Sequence, residues 1–325
     1  MGFGSVAVVG LAKNTGKTVT LNHILREADA LDIPLGVTSI GVDGETTDRV
    51  TATEKPEITI YPGTIFATAE THYRRRRLHA EVLDIGSRHT ALGRVVLARA
   101  LSRGKTLLSG PADTASLHSL ITRMRKEGAT TVMIDGALSR LSPASPAVTE
   151  AMVLATGAAI SPEIQTIVDR TIYTCSLIRL PLAEGVDLKT LEREDCVCEI
   201  DSDGNIRPTP LRSALTLDSV RTTLSGTGKR IYLPGMAPER LIRHLLSRPD
   251  VKEAEIILRD FTRIFTEPMT FRAFIARGGK VSVARRTKLL AITVNPWSPG
   301  GYTVNDQKLI TALKSKIDVP IYNLL

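Results

Sequence analysis

Nine consecutive residues, Gly10-Leu11-Ala12-Lys13-Asn14-Thr15-Gly16-Lys17-Thr18, have the types and order needed to hold a nucleotide's phosphates. Successive backbone N–H groups and the positive end of a following helix attract phosphate oxygens. Gly16 allows close backbone approach, Lys17 is placed to reach the β and γ phosphates, and Thr18 supplies a hydroxyl oxygen to Mg2+. Lys13, Asn14 and Thr15 complete the phosphate-binding set. A Gly-Lys-Thr triplet alone is a weak signal. Here the apolar run Ser5 to Val9 precedes it and the helically spaced run Val19 to Leu31 follows it, the strand–loop–helix context that the chemistry requires.

Carboxylates at other strand ends would complete such a site. Val132-Met133-Ile134 is an apolar strand that delivers Asp135, a magnesium or water-orienting candidate, although Asp-Gly is also ordinary turn chemistry. The run Pro34 to Ile40 ends in Gly41-Val42-Asp43-Gly44-Glu45, which makes Asp43 and Glu45 further metal candidates and Asp43 a catalytic one. Tyr61-Pro62-Gly63-Thr64 reads as a second switch segment or a plain turn, and Ser109-Gly110-Pro111 as a pocket wall. Asn295 follows a late strand, where it caps a turn or contacts the nucleotide. Gly226-Thr227-Gly228-Lys229 repeats the letters of a phosphate loop but precedes a strand, so it lacks the helix that would hold phosphate.

The alternation of short apolar runs with helical stretches predicts an α/β chain: a doubly wound, mostly parallel sheet of the P-loop type with a small β-rich insertion. The expected divisions are residues 1–181 for the nucleotide domain, 182–227 for the insertion and 228–325 for an α/β portion that could complete the same sheet. Asp201-Ser202-Asp203-Gly204-Asn205 should turn a hairpin in the insertion. The composition, 42% apolar and 23% charged, excludes a disordered chain.

The net charge of +8 is dispersed except at Arg74-Arg75-Arg76-Arg77, which reads as helix, and aromatics are only 4%; a nucleic-acid partner is not expected. Three cysteines cannot form a disulfide framework, and Cys196-Val197-Cys198 without a second pair or nearby histidines makes a poor zinc site, so reduced thiols are expected. With no signal-peptide pattern and no long apolar run, the expected location is the cytoplasm.

Five residues separate Gly10 from Gly16 where the common loop has four, and in this the loop resembles those of dethiobiotin synthetase and its relatives. Lys13 resembles the extra lysine with which related loops touch phosphate across a dimer, though one position closer to Lys17. The loop with Leu21-Asn22, and the segments Gly41 to Glu45, Ile134 to Ala137, Ala155 to Ala158 and Ile292 to Pro296, resemble the reactivase subunit family associated with lysine 5,6-aminomutase.

The resemblance implies a nucleotide-driven helper of an adenosylcobalamin- and pyridoxal-phosphate-dependent aminomutase in amino-acid fermentation. Analogy with the wider branch that the loop resembles implies a base-contacting role for Asn295 and a homodimer. The expected chemistry is hydrolysis of ATP, GTP remaining open, with Mg2+. The competing readings are an ATP-dependent ligase or kinase acting on a small molecule and a non-hydrolysing nucleotide-binding regulator.

Overall fold

The structure, a computed structural model, describes residues 2–41, 57–111, 113–137, 145, 148–215 and 230–324. The chain divides into two compact units, Met1–Ile172 with Thr287–Leu325 and Tyr173–Arg286. The first unit contains strands β1 (Ser5–Gly10), β2 (Leu35–Ser39), β3 (Ile58–Ile60), β4 (Ile65–Ala69), β5 (Ala80–Thr90), β6 (Gly93–Ala100), β7 (Gly104–Thr106), β8 (Thr131–Ala137) and β9 (Ala151–Gly157). The second contains β10 (Cys198–Ile200), β11 (Ile206–Pro208), β12 (Arg230–Leu233), β13 (Ala237–Pro238), β14 (Glu255–Leu258), β15 (Ile264–Phe265) and β16 (Lys280–Val283). The chain then returns to the first unit with β17 (Lys288–Asn295) and β18 (Ile321–Asn323).

Nine strands form the large sheet of the first unit, in the order β18-β17-β9-β1-β8-β2-β4-β6-β5. The pairings from β18 to β4 are parallel; β4 with β6 and β6 with β5 are antiparallel. The sheet is therefore mixed and mostly parallel. All six positions of β1 and all seven of β9 are buried, as strands covered on both faces must be.

Alternate residues feed two cores. Val6, Val8, Val37, Phe66 and Met133 pack with Leu21, Leu25 and Ala28 of α1 (Lys17–Ala30). On the other face Ile65, Ala67, Val132 and Ile134 pack with Leu117, Ile121 and Met124 of the helix Thr114–Lys126. That helix begins on Asp113, an N-cap whose side chain accepts from the Ser116 N–H.

The second unit carries a separate five-stranded sheet, β11-β10-β12-β14-β16, antiparallel at β11, β10 and β12 and parallel from β12 to β16. Its core includes Leu191, Cys198, Ile200, Tyr232 and Ile257. The expected hairpin turn forms: Asp201 Oδ1 accepts from the backbone N–H groups of Asp203 and Asn205, and Gly204 takes the left-handed backbone, φ 83°.

β7 pairs antiparallel with β3 in a two-stranded ribbon. Two expectations need correction. The hairpin is not an isolated insertion ending at 227, because β10 pairs with β12, so residues 230–283 belong with it while β17 and β18 join the first sheet. The arginine run leaves its helix at once, since the helix Glu70–Arg74 ends there. Its charges take local partners: Arg74 pairs with Glu70, Arg76 lies 3.9 Å from the Tyr73 ring centroid and Arg77 pairs with Glu57. Among the described residues, no helix is long and apolar enough to cross a membrane.

Candidate functional site

β1 ends in the middle of the large sheet, and the loop that follows it turns into α1. Its path is set by two left-handed residues, Asn14 (φ 62°) and Gly16 (φ 92°), the second forming the N-cap of α1. A glycine there has no side chain to cap the helix, and the first turn of α1 contains no acidic residue, so its N–H groups and dipole face an anion without a built-in competitor. Thr15 is buried and donates its hydroxyl to the Ala12 carbonyl at 2.9 Å, closing the loop on itself. A methyl group on Gly10 would collide with Thr15 Oγ1 and come within 2.8 Å of Lys17 Cγ. The Lys17 stem therefore folds back over Gly10, toward the strand end from which the loop departs. Lys13 and Asn14 are exposed, whereas Gly16, Lys17 and Thr18 are half-buried.

Two neighbouring strands flank β1 where the loop departs. On one side the Leu11 N–H donates to the Ala155 carbonyl of β9 at 2.9 Å. On the other, β8 runs parallel with Asp135 opposite Val8 and Gly136 opposite Val9, so Asp135 lies at the same sheet edge as the loop. Asp135 is half-buried, and its carbonyl accepts from the Ser39 hydroxyl at the end of β2. Oxygen donors from Thr18 and Asp135 suit a hard divalent cation such as Mg2+.

Asn295 has a more specific position than the sequence suggested. It is buried at the end of β17, opposite Gly157 of β9. Its amide donates to the Asn14 carbonyl at 3.1 Å, and its side-chain oxygen accepts from the Trp297 N–H at 2.9 Å. Its Cβ lies only 3.1 Å from where a Gly16 methyl would stand. Both ends of this side chain are engaged with backbone, so Asn295 braces the loop.

A second brace was not legible in advance. Thr20 donates its hydroxyl to the Gly16 carbonyl at 3.0 Å, which leaves the Thr293 hydroxyl to donate to Thr20 at 2.8 Å. Both threonines are buried, so Thr20→Val strands the Thr293 hydroxyl and should cost about 1–3 kcal/mol. The Thr20→Val, Thr293→Val double variant should lose less than the sum of the two single variants. Urea unfolding followed by Trp297 fluorescence measures this; strict additivity would deny the coupling.

Beyond Asn295 the chain makes a short turn in which Trp297 bridges to Thr303, and Tyr302 donates its hydroxyl to the Ala158 carbonyl at 2.8 Å. Trp297, the sole tryptophan of the chain, is 53% exposed two residues from the loop's brace. Compared with protein-family models, curated proteins and solved structures, the chain matches none. The site must therefore be interpreted from its own residues.

The remaining candidates separate. Asp43 and Glu45 lie outside the described residues, as does the decoy at Gly226 to Lys229. Thr64 immediately precedes β4, which runs parallel to β2; it lies at the sheet edge opposite the loop and cannot serve as a phosphate switch. Ser109 reaches the correct edge, where Gly110 donates to the Gly41 carbonyl beyond β2. Its hydroxyl is buried against His72 and its N–H is bonded to Thr68 Oγ1, so it packs the interior instead of lining a pocket.

Proposed function

We propose that the chain is a P-loop protein of the doubly wound type that binds a magnesium nucleoside triphosphate, with ATP favoured, at Gly10 to Thr18 and hydrolyses it to drive a change in a partner protein. The observation that carries this reading is the junction at Gly16: a loop of left-handed residues leads from a central parallel strand into an uncapped helix, and Lys17 folds back across Gly10. That arrangement presents backbone N–H groups and one ammonium to the same anion. Lys17 neutralises the β and γ phosphates, Thr18 and Asp135 hold Mg2+, and Asp135 orients the attacking water; Asp43 and Glu45 complete the metal shell in this proposal. Asn295 keeps Asn14 and Gly16 in register. Electrostatic positioning of this kind provides slow intrinsic turnover that a partner can accelerate. The sequence resemblance favours an adenosylcobalamin-dependent aminomutase as that partner.

The first test uses Trp297 as a reporter. Titration with magnesium ATP is expected to change its fluorescence saturably, because the nucleotide occupies a loop braced by Asn295, to which the Trp297 backbone is bonded. Phosphate release is then measured alone and with lysine aminomutase added. Release stimulated by the aminomutase supports the proposal. Saturable binding with no release under any condition removes the partner-driving reading and favours a regulator, whereas release only with a small acceptor favours a ligase or kinase.

A further inference from the structure

The second unit holds a cluster that the proposed nucleotide chemistry does not use. Glu194, Cys196 and Cys198 lie two residues apart where the chain bends into β10. Their ligand atoms all lie within 4.8 Å of one another. The two Sγ atoms are 4.0 Å apart, and Cys196 Sγ is 3.8 Å from Glu194 Oε2.

We infer that Glu194, Cys196 and Cys198 form a binding site for a thiophilic divalent cation of the zinc class. Two thiolates on a tetrahedral ion with Zn–S bonds of about 2.3 Å stand roughly 3.8 Å apart, close to the separation already present, and a carboxylate oxygen at about 2.0 Å fits the third corner. The same sulfur separation is far beyond the roughly 2.05 Å of a disulfide.

Two thiolates and one carboxylate carry three negative charges, which a divalent cation offsets in part. The Arg259 guanidinium donates to the Glu194 carbonyl at 3.2 Å and pairs with Asp195 at 3.3 Å. Tyr232, opposite Cys198 in the sheet, receives the same guanidinium at its hydroxyl, which fixes the wall behind the cluster. With three protein ligands, the fourth corner is left to water.

The sequence alone made Cys196 and Cys198 a poor zinc pair for want of further ligands; the third donor is Glu194, at the same two-residue spacing. The experiment is a Co2+ titration of the full, freshly reduced chain, read by the near-ultraviolet thiolate-to-cobalt charge-transfer band. One equivalent should saturate the band, and Zn2+ should abolish it by displacement. Cys196→Ser, at a half-buried position, should remove the band while the circular dichroism stays unchanged. Glu194→Gln should weaken binding by about 10- to 100-fold. Cys175→Ser, in a helix elsewhere in the chain, should leave the band intact. Absence of a thiolate band in the wild-type chain, or its persistence in Cys196→Ser, overturns the assignment. Cys198 is fully buried, so Cys196 carries the decisive variant.

Discussion

Lys17→Ala is expected to lower phosphate release from magnesium ATP by at least about a hundredfold, the scale seen when one preorganised charge-stabilising donor is removed. The expectation rests on geometry. The Lys17 stem passes close over Gly10, with its Cγ 2.8 Å from where a methyl group there would stand, which places the stem over the end of β1. Lys17 is half-buried at the first position of α1 and contributes little to either core, so the variant should unfold at nearly the wild-type denaturant concentration. Lys13→Ala is the appropriate comparison. Lys13 lies exposed in the same loop, and its loss should reduce release by no more than about tenfold, as expected for an exposed charge screened by salt. Phosphate release measured over a range of ATP concentrations for both variants gives the answer. Equal rates for wild type and Lys17→Ala would remove this loop from the chemistry, whatever else the protein does.

The parts of the site legible in the sequence were those fixed by local chemistry. Ser5 to Thr18 announced a strand, a loop and a helix because an apolar run, two glycines and helical spacing follow one another without interruption. Asp135 was legible for the same reason, at the end of an unbroken apolar strand. What the sequence hid was pairing. Thr64 looked like a switch residue, yet the parallel direction of β4 puts it at the wrong end of the sheet. β5 and β6 escaped notice because β5 is largely exposed and its register shifts between Val82 and Asp84 and again between Ile85 and His89, which breaks the alternation that marks a strand. The division into units was equally hidden, since β17 reaches back more than a hundred residues to pair with β9. Asn295 was recognised as a residue at a strand end; that it braces the loop depends on a hydrogen bond spanning 281 residues, for which a sequence carries no local signal.

Gly157→Ala tests that long-range brace and should be the most destabilising of the substitutions considered. Gly157 ends β9 with φ 154°, a conformation that an L side chain resists, and a methyl group there would overlap the Asn295 carbonyl oxygen and lie 2.7 Å from its carbonyl carbon. The obstruction is backbone, not the flexible end of a side chain. Ala158 donates to that same carbonyl at 2.8 Å, so β17 cannot move away without losing this bond. A loss of about 3 kcal/mol or more is expected from strain and overpacking together. Gly128→Ala separates the two causes: Gly128 also has a positive φ, 110°, but nothing lies within 4 Å of a methyl group there, so strain alone should cost about 1 kcal/mol. Urea unfolding read through Trp297, which reports the first unit, measures both. If Gly157→Ala folds at all, displacement of Asn295 should also release the Asn14 carbonyl and weaken ATP binding, an effect Gly128→Ala should lack. Loss of stability with unchanged nucleotide affinity would mean that the loop keeps its shape without Asn295, and the positioning role assigned to that residue would fall.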